Sequence, residues 1–122
     1  IYKGCVVMAV DKSLQTGSTT MLLLKLLEEQ DLYGYQMIER LEERSNNVFA
    51  LKAGTLYPLL HNMEEQGLLT SYEQTAETGR KRKYYSITKK GRELLSAKEK
   101  EWNVFSGAVN KVLQGGSAIV TT

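Results

Sequence analysis

Cysteine, histidine and proline each occur only once in this 122-residue sequence. The single cysteine, Cys5, excludes an internal disulfide framework and a zinc site made of several cysteines. The single histidine, His61, gives no basis for a histidine metal site or a histidine-centred catalytic triad. The apolar runs Cys5–Val10 and Met21–Leu24 are far shorter than the roughly 20 residues that a membrane-spanning helix needs. No convincing cleavage site follows Cys5–Val10, so we expect no secretory signal.

These absences favour a cytoplasmic domain without metal, cofactor or membrane partner. The length suits one small domain. The proportions of hydrophobic residues (42%) and charged residues (25%) are ordinary for a globular protein. No pair of carboxylates has a nucleophile or a metal ligand beside it, and we therefore predict that the protein is not an enzyme.

The charge is small in sum but uneven along the chain. The formal net charge is +2, yet the segment Arg80–Arg92 contains seven basic residues and no acidic one. Between Glu28 and Glu77 acidic residues outnumber basic ones, and the pair Glu64–Glu65 is interpreted as a solvated helix face. A basic stripe in a nearly neutral protein favours a polyanionic partner, and the alternative interpretation is a solvated loop.

Apolar periodicity predicts four helices. Residues 1–17 show no clear period and are expected to form a weakly ordered arm with room for one helical turn, and residues 115–122 a tail. Thr88 is expected to cap the last helix. If Thr55 caps the third helix, Pro58 falls in its first turn, where the missing N–H costs little. Gly17–Thr19 offer an N-cap for the first helix, which is expected to end near residue 30. The other predicted helices cover residues 34–44, 53 or 55 to 66, and 89–114.

Three short segments are predicted to be strands. Val48–Leu51 is too brief for a helix and is expected to form an edge strand. Leu68–Glu73 and Lys83–Thr88 carry tyrosines that suit a half-buried sheet, and residues 75–82 between them are expected to form a long hairpin loop. The chain is therefore predicted to be mainly α with a small antiparallel β-hairpin.

This order of elements is that of a winged helix-turn-helix followed by a long C-terminal helix. We assign residues 18–88 to a DNA-binding domain and residues 89–114 to a dimerisation helix. The second assignment depends on apolar residues that recur every seven positions, which is typical of a helix packed lengthwise on another helix. These residues are Leu95, Trp102 and Val109, with Phe105 and Val112 at the intermediate positions.

In a winged helix the third helix enters the major groove by its N-terminal end, and the hairpin, called the wing, lies against the adjacent backbone. Small residues let the helix approach the duplex, while hydroxyl groups and Lys52 donate to phosphates or base edges. The wing should supply most of the salt-dependent affinity through counterion release. The residues expected to contact DNA are Lys52, Ala53, Gly54, Thr55 and Tyr57 in the helix, and Gly79, Arg80, Lys81, Arg82 and Lys83 in the wing.

Four motifs follow one another along the chain: Leu32–Ile38, Gly54–Leu60, Glu65–Leu69 and Gly79–Gly91. Together they strongly resemble the PadR family of bacterial transcriptional regulators, over about residues 18–95. The single long C-terminal helix is similar to that of the smaller PadR subfamily. The resemblance implies a homodimeric repressor that binds an inverted-repeat operator in double-stranded DNA and is released by an effector.

The resemblance also implies roles for individual residues. Tyr35 matches a tyrosine that contacts backbone phosphate. Lys52 and Ala53 stand where many members have Ser-Pro, which weakens the helix cap and adds a cation, so the base preference cannot be transferred. The other matching positions are Gly54, Thr55 and Tyr57 in the recognition helix, and Gly79, Arg80, Lys81 and Tyr84 in the wing.

The dimer implied by the resemblance uses the C-terminal helix together with the first helix. In some members of the small subfamily, flat aromatic compounds bind between the subunits against a tryptophan of this helix, and Trp102 lies at a similar place. A tryptophan face offers such a ligand a large stacking surface. The alternative for Trp102 is dimer packing alone.

Two other functions stay open at this point. The chain could be a winged-helix protein-interaction module whose wing is merely solvated, or a small-molecule sensor with little affinity for DNA. Binding to duplex DNA that falls steeply with salt would discriminate a regulator from both.

Overall fold

The computed structural model describes residues 12–115, with side chains from residue 18 onward. These residues form four helices and a three-stranded antiparallel sheet, which confirms the predicted winged-helix fold, mainly α with an antiparallel hairpin. The elements are α1 (Lys12–Glu29), β1 (Leu32–Tyr33), α2 (Gly34–Arg44), α3 (Ala53–Glu65), β2 (Leu69–Thr75), β3 (Lys81–Ile87) and α4 (Lys89–Gln114).

Helix α1 begins at Lys12, so the prediction of a weakly ordered arm is wrong for residues 12–17. The predicted N-cap Gly17–Thr19 has low helix propensity, yet the helix continues through it. Thr19 is buried and α1 packs against α4, and such packing outweighs local propensity. The predictions for residues 1–11, Cys5 included, and for residues 116–122 lie outside the described residues.

Helix α2 begins and ends at the predicted residues, but the segment after it is not the predicted strand Val48–Leu51. The Ser45 hydroxyl donates to the Leu41 carbonyl at 2.7 Å and accepts from the Phe49 amide at 3.0 Å. These two bonds hold the backbone in a turn. The prediction of an edge strand is therefore wrong, because local side-chain hydrogen bonds replace sheet pairing.

Helix α3 begins at Ala53, with Lys52 at the N-cap position and no side-chain cap. Thr55 is therefore not the cap, and Pro58, the sixth residue of this helix, lies beyond the first turn. Without an N–H it gives the Gly54 carbonyl no donor, and water can take that place because Gly54 is exposed. Gly67 follows the helix in the left-handed conformation (φ 80°), which suits glycine.

The sheet has the strand order β1-β3-β2. In the hairpin Leu69 pairs with Ile87 at the base and Thr75 with Lys81 near the tip. The strands are longer than predicted, and only residues 76–80 connect them. The Ala76 amide closes this connection by donating to the Arg80 carbonyl at 2.8 Å. The predicted loop 75–82 is therefore wrong at both ends, because the strand pairing continues through Gln74–Arg82 to Thr75–Lys81.

Strand β1 is a feature that the sequence pattern did not predict. Its two residues pair with the middle of β3, Leu32 with Tyr85 and Tyr33 with Tyr84. A two-residue strand shows no periodicity of its own, and its pairing exists only once the hairpin has formed. It makes β3 the central strand of the sheet.

The hydrophobic core lies between the helices and the inner face of the sheet. Tyr85 and Ile87 contribute the inner face of β3, whereas α1 contributes four nearly inaccessible leucines. The fully buried side chains are Leu23, Leu24, Leu27, Leu32, Met37, Leu56, Leu60, Met63, Leu69 and Leu95.

Three elements meet where α3 ends, the hairpin closes and α4 begins. The Thr88 amide donates to the Leu68 carbonyl at 3.0 Å, and the Thr88 hydroxyl donates to the Gly67 carbonyl at 2.7 Å. The same hydroxyl accepts from the Gly91 amide at 3.0 Å, which confirms Thr88 as the cap of α4. A Cβ on Gly91 would collide with the Leu68 carbonyl oxygen and lie 2.8 Å from Cγ1 of Ile87. The junction therefore leaves room only for glycine.

Candidate nucleic-acid interface

The first turn of α3 is the exposed end of the helix-turn-helix. The core-facing residues of α3, Leu56, Leu60 and Met63, are buried. A Cβ on Gly54 would meet nothing within 4 Å, so packing does not require glycine there. The predicted contact residues thus share an open surface at the positive end of a helix. Those exposed there are Lys52, Ala53, Gly54 and Thr55.

The structure brings Tyr57 of α3 onto the beginning of α2. A Cβ on Gly34 would collide with the Tyr57 hydroxyl and lie 2.6 Å from Cζ of the same ring. Tyr57 stays 47% exposed, and Tyr35, the next residue after Gly34, is 60% exposed. Two phenols therefore flank the first turn of α2, where backbone amides lack intrahelical partners. Hydroxyl and amide donors at such a place can bind a phosphate.

Two of the four cations of the wing lie over tyrosine rings, and the other two do not. Arg80 and Lys81 are exposed, and within the described residues their side chains make no hydrogen bond or ion pair. The guanidinium carbon of Arg82 lies 4.6 Å from the centre of the Tyr33 ring. Lys83 Nζ lies 5.5 Å from the centre of the Tyr85 ring. Arg80 and Lys81 are thus the wing cations that could neutralise phosphate without losing an existing contact.

The basic stripe of the sequence is divided in space. Lys89, Lys90 and Arg92 lie in the first turn of α4, at the far end of the seven-residue strand β3 from the wing tip. At about 3.3 Å per residue, roughly 20 Å separates the two groups. The Lys90 amine donates to the Gln66 carbonyl at 2.7 Å and so belongs to the α3–α4 junction. Only the group at the wing tip fits the predicted DNA contact.

A tyrosine stack covers the outer face of the sheet and was missed by the sequence prediction. Tyr84 stacks on Tyr72 with ring centres 5.7 Å apart and meets the edge of Tyr33 at 5.4 Å. The Tyr72 hydroxyl donates to Oδ2 of Asp31 at 2.7 Å, and this hydrogen bond raises the pKa of Tyr72. Alternation along the two strands places Tyr72 and Tyr84 on one face, but the contribution of Tyr33 depends on β1. The ring of Tyr84, predicted as a DNA contact, is occupied by packing.

The second half of α4 presents an apolar face without a partner. Trp102, Phe105, Val109 and Val112 are 46%, 59%, 38% and 79% exposed. Leu95, by contrast, is 1% exposed and packs in the core of its own chain. The prediction that Leu95 contacts a partner subunit is therefore wrong, because its side chain is already covered.

Two further features of α4 bear on the remaining predictions. The rings of Trp102 and Phe105 lie 6.2 Å apart and are tilted by 41°, so the tryptophan already has an aromatic neighbour. Leu113 is 78% exposed and follows Val112, although the seven-residue spacing did not select it.

His61 lies on the surface, and its Nε2 is 3.4 Å from a carboxylate oxygen of Glu65. In the part of the chain that the structure describes, no three histidine, cysteine or acidic residues could share a metal ion. No helix of residues 12–115 has the length and hydrophobicity to cross a bilayer.

Comparison with known proteins agrees with this architecture. The PadR-like family of transcriptional regulators matches residues 23–97. The chain is 32% identical over 85 residues to transcriptional regulator Rv3488 of Mycobacterium tuberculosis, a match that covers 70% of this chain and 76% of that protein.

Two solved structures are similar over most of their length. A PadR family transcriptional regulator from Eggerthella lenta is 34% identical, with a TM-score of 0.75 over 86% of this chain and 89% of that one. A PadR-like transcriptional regulator from Bacillus cereus is 31% identical, with a TM-score of 0.76 over 84% of this chain and 98% of that one. Since the family match alone spans more than half of the sequence, the chain belongs to the PadR-like family of transcriptional regulators.

Proposed function

We propose that this regulator binds an inverted-repeat operator in duplex DNA as a homodimer, and that it represses transcription until an effector releases it. The observation that carries the proposal is the pair of free cations Arg80 and Lys81 on a wing that follows α3 directly. A helix end and a cationic hairpin in this order suit the major groove and the neighbouring phosphates.

Each reading head would use α3 for the groove and the wing for the backbone. The residues at the start of α3 are exposed, and the backbone amides of Ala53 and Gly54 together with the Thr55 hydroxyl would supply donors for base edges or phosphate. Lys52 adds a cation at the same end of α3. Ala53 and Gly54 are small, so this end of the helix can approach the duplex closely. Tyr35 and Tyr57 would donate to a phosphate beside the start of α2.

The proposed dimer would bury the apolar face of α4. Trp102, Phe105, Val109 and Val112 project from a part of the helix that extends past the core of its own chain. Apolar side chains at this spacing pack well between two helices. A two-fold dimer places the two reading heads about one helical turn apart, roughly 34 Å.

The proposed effector is a flat aromatic compound that binds between the subunits against Trp102. Nearly half of the Trp102 side chain is exposed, and the Phe105 ring beside it adds a second aromatic surface. To release DNA, the compound must prefer one separation of the reading heads over the other.

Selection of bound duplexes from a random pool tests the proposal as a whole. We expect enrichment of a site with two-fold symmetry and with half-site centres about ten base pairs apart. Enrichment of a single asymmetric half-site would contradict the dimer, and no enrichment would contradict DNA binding.

Replacing Arg80 and Lys81 together by alanine should weaken binding to every duplex sequence. Because two phosphate contacts are lost, the plot of log affinity against log salt should become less steep by up to about two units. Fluorescence anisotropy over a salt series measures both effects.

The matched control replaces Lys89 and Arg92 by alanine. It removes two positive charges at the start of α4, as many as the first variant removes from the wing tip. Roughly 20 Å from the wing tip, these charges lie beyond the Debye length of about 8 Å at physiological salt. Their loss should leave the slope close to the wild-type value. Equal slopes for the two double variants would contradict the assignment of the wing tip.

A further inference from the structure

In the part of the chain that the structure describes, a neighbouring strand supports the wing only up to the middle of β3. β1 pairs with β3 at Tyr85 and Tyr84 and no further towards the tip. Within the described residues, the other edge of the hairpin, β2, has no strand beside it. From Lys83 outward, the angle between the wing and the rest of the domain therefore depends on side-chain contacts.

On the inner face, one carboxylate joins both strands of the wing to α3. The Ser71 hydroxyl of β2 donates to Oε2 of Glu64 at 2.6 Å, and Lys83 Nζ of β3 lies 3.9 Å from Oε1 of the same residue. The side chain of Glu64 is 31% exposed, whereas that of the adjacent Glu65 is 65% exposed. The interpretation of the pair as a solvated face is thus wrong for Glu64.

On the outer face of the sheet, a second carboxylate binds the hairpin at the neighbouring residue of β2. Asp31 lies between α1 and β1 and accepts the hydrogen bond of the Tyr72 hydroxyl. Tyr72 follows Ser71 directly, so adjacent residues of β2 are bound on opposite faces of the sheet. The wing is therefore fixed to α3 on one side and to the end of α1 on the other.

A small change in the tilt of the hairpin at Ser71 and Tyr72 produces a large displacement of the wing tip. Ala76, the first residue of the turn, lies four residue steps beyond Tyr72, which is about 13 Å of extended chain. A tilt of about 10° at Tyr72 would displace the tip by about 2 Å, whereas hydrogen bonds to phosphate are confined to about 2.7–3.2 Å. Arg80 and Lys81 could then no longer bind their phosphates while α3 stays in the groove.

We propose that Glu64 and Asp31 are positioning residues for DNA binding, which hold the wing cations and the N-terminal end of α3 at one fixed separation. The inference rests on the proposed function, because the separation matters only if both parts bind the same duplex. Partly exposed ion pairs and single hydrogen bonds add little to stability. The role assigned to these carboxylates is therefore one of geometry.

The direction of the change in DNA affinity distinguishes a positioning role from a simple effect of charge. Glu64→Ala and Glu65→Ala each remove one negative charge from the last turn of α3, and each introduces the same residue. Simple electrostatics predicts that both variants bind the DNA polyanion as well as the wild type or more tightly. Positioning predicts that Glu64→Ala alone binds more weakly, although it has become more positive.

The experiment measures the affinity of the wild type and both variants for the selected duplex over a salt series, with thermal unfolding as the structural readout. We expect Glu64→Ala to bind about three- to tenfold more weakly and with a salt slope about one to two units less steep, as fewer phosphates are neutralised. Glu65→Ala should match the wild type or bind more tightly. Both variants should unfold close to the wild-type temperature.

Tyr72→Phe tests the outer contact without a change of charge. It removes the hydrogen bond to Asp31 and keeps the ring that stacks on Tyr84, and we expect the salt slope to flatten as for Glu64→Ala. If both Glu64→Ala and Tyr72→Phe keep the wild-type affinity and slope, the positioning proposal is wrong while DNA binding stands. If the wild type itself shows no salt-dependent binding, the proposed function fails, and this inference fails with it.

Discussion

Phe105→Asp should convert the proposed dimer into a monomer that binds the selected duplex at least about a hundredfold more weakly, since linking two binding sites contributes factors of this size. Phe105 is 59% exposed in the single chain and lies in the middle of the apolar face of α4. A carboxylate there would have to enter an apolar helix–helix contact without a partner, which is strongly unfavourable. Sedimentation at micromolar concentration and anisotropy with operator DNA measure the two effects.

Val104→Asp is the matched control for this variant. Val104 precedes Phe105, is 75% exposed and lies about 100° away around the helix, off the seven-residue face. The same new charge should leave a dimer that binds DNA normally. A dimeric Phe105→Asp protein would show that α4 associates through some other face.

Gly91→Ala is expected to lower the free energy of unfolding by about 1–3 kcal/mol, the usual size of an overpacking effect in a close-packed site. The added methyl group would meet the Leu68 carbonyl oxygen, which is backbone already bonded to the Thr88 amide. Backbone cannot swing aside as the end of a long side chain can. The hairpin base and the start of α4 would have to separate. Urea denaturation at fixed protein concentration measures the change.

Gly107→Ala supplies the comparison within the same helix. A Cβ at Gly107 would meet nothing within 4 Å. Alanine favours helix over glycine by about 0.5–1 kcal/mol, so this variant should be slightly more stable than the wild type. A Gly91→Ala protein of unchanged stability would show that the junction can open at no cost.

The parts of the fold that the sequence predicts well are those specified by local signals. The bounds of α2 follow from a regular apolar period and polar flanks, and α4 begins at the residue after the Thr88 cap. Charge and turn residues likewise locate the wing. These features depend on neighbours within a few positions, which a linear pattern contains.

The errors concern contacts between distant parts of the chain. Leu95 fits the seven-residue repeat of α4, but the repeat does not say where the helix leaves its own core and begins to face a partner. Charge alone does not distinguish Arg80, which is free, from Arg82, which lies over the Tyr33 ring. The role of Glu64 required knowledge of which strands cross the end of α3.

The junction at Thr88 and Gly91 joins the reading head rigidly to the N-terminal end of α4, so that a tilt of this helix moves the head. No flexible linker separates them, and the 26-residue helix is about 39 Å long. In the proposed dimer, a tilt of about 10° about Trp102, carried over the roughly 20 Å of helix between Trp102 and Lys89, would move the start of α4 in each subunit by about 3.5 Å. That displacement is close to the base-pair rise of about 3.4 Å. A ligand that increases the distance between the C-terminal ends of the two α4 helices would thus move both reading heads out of register with the double helix.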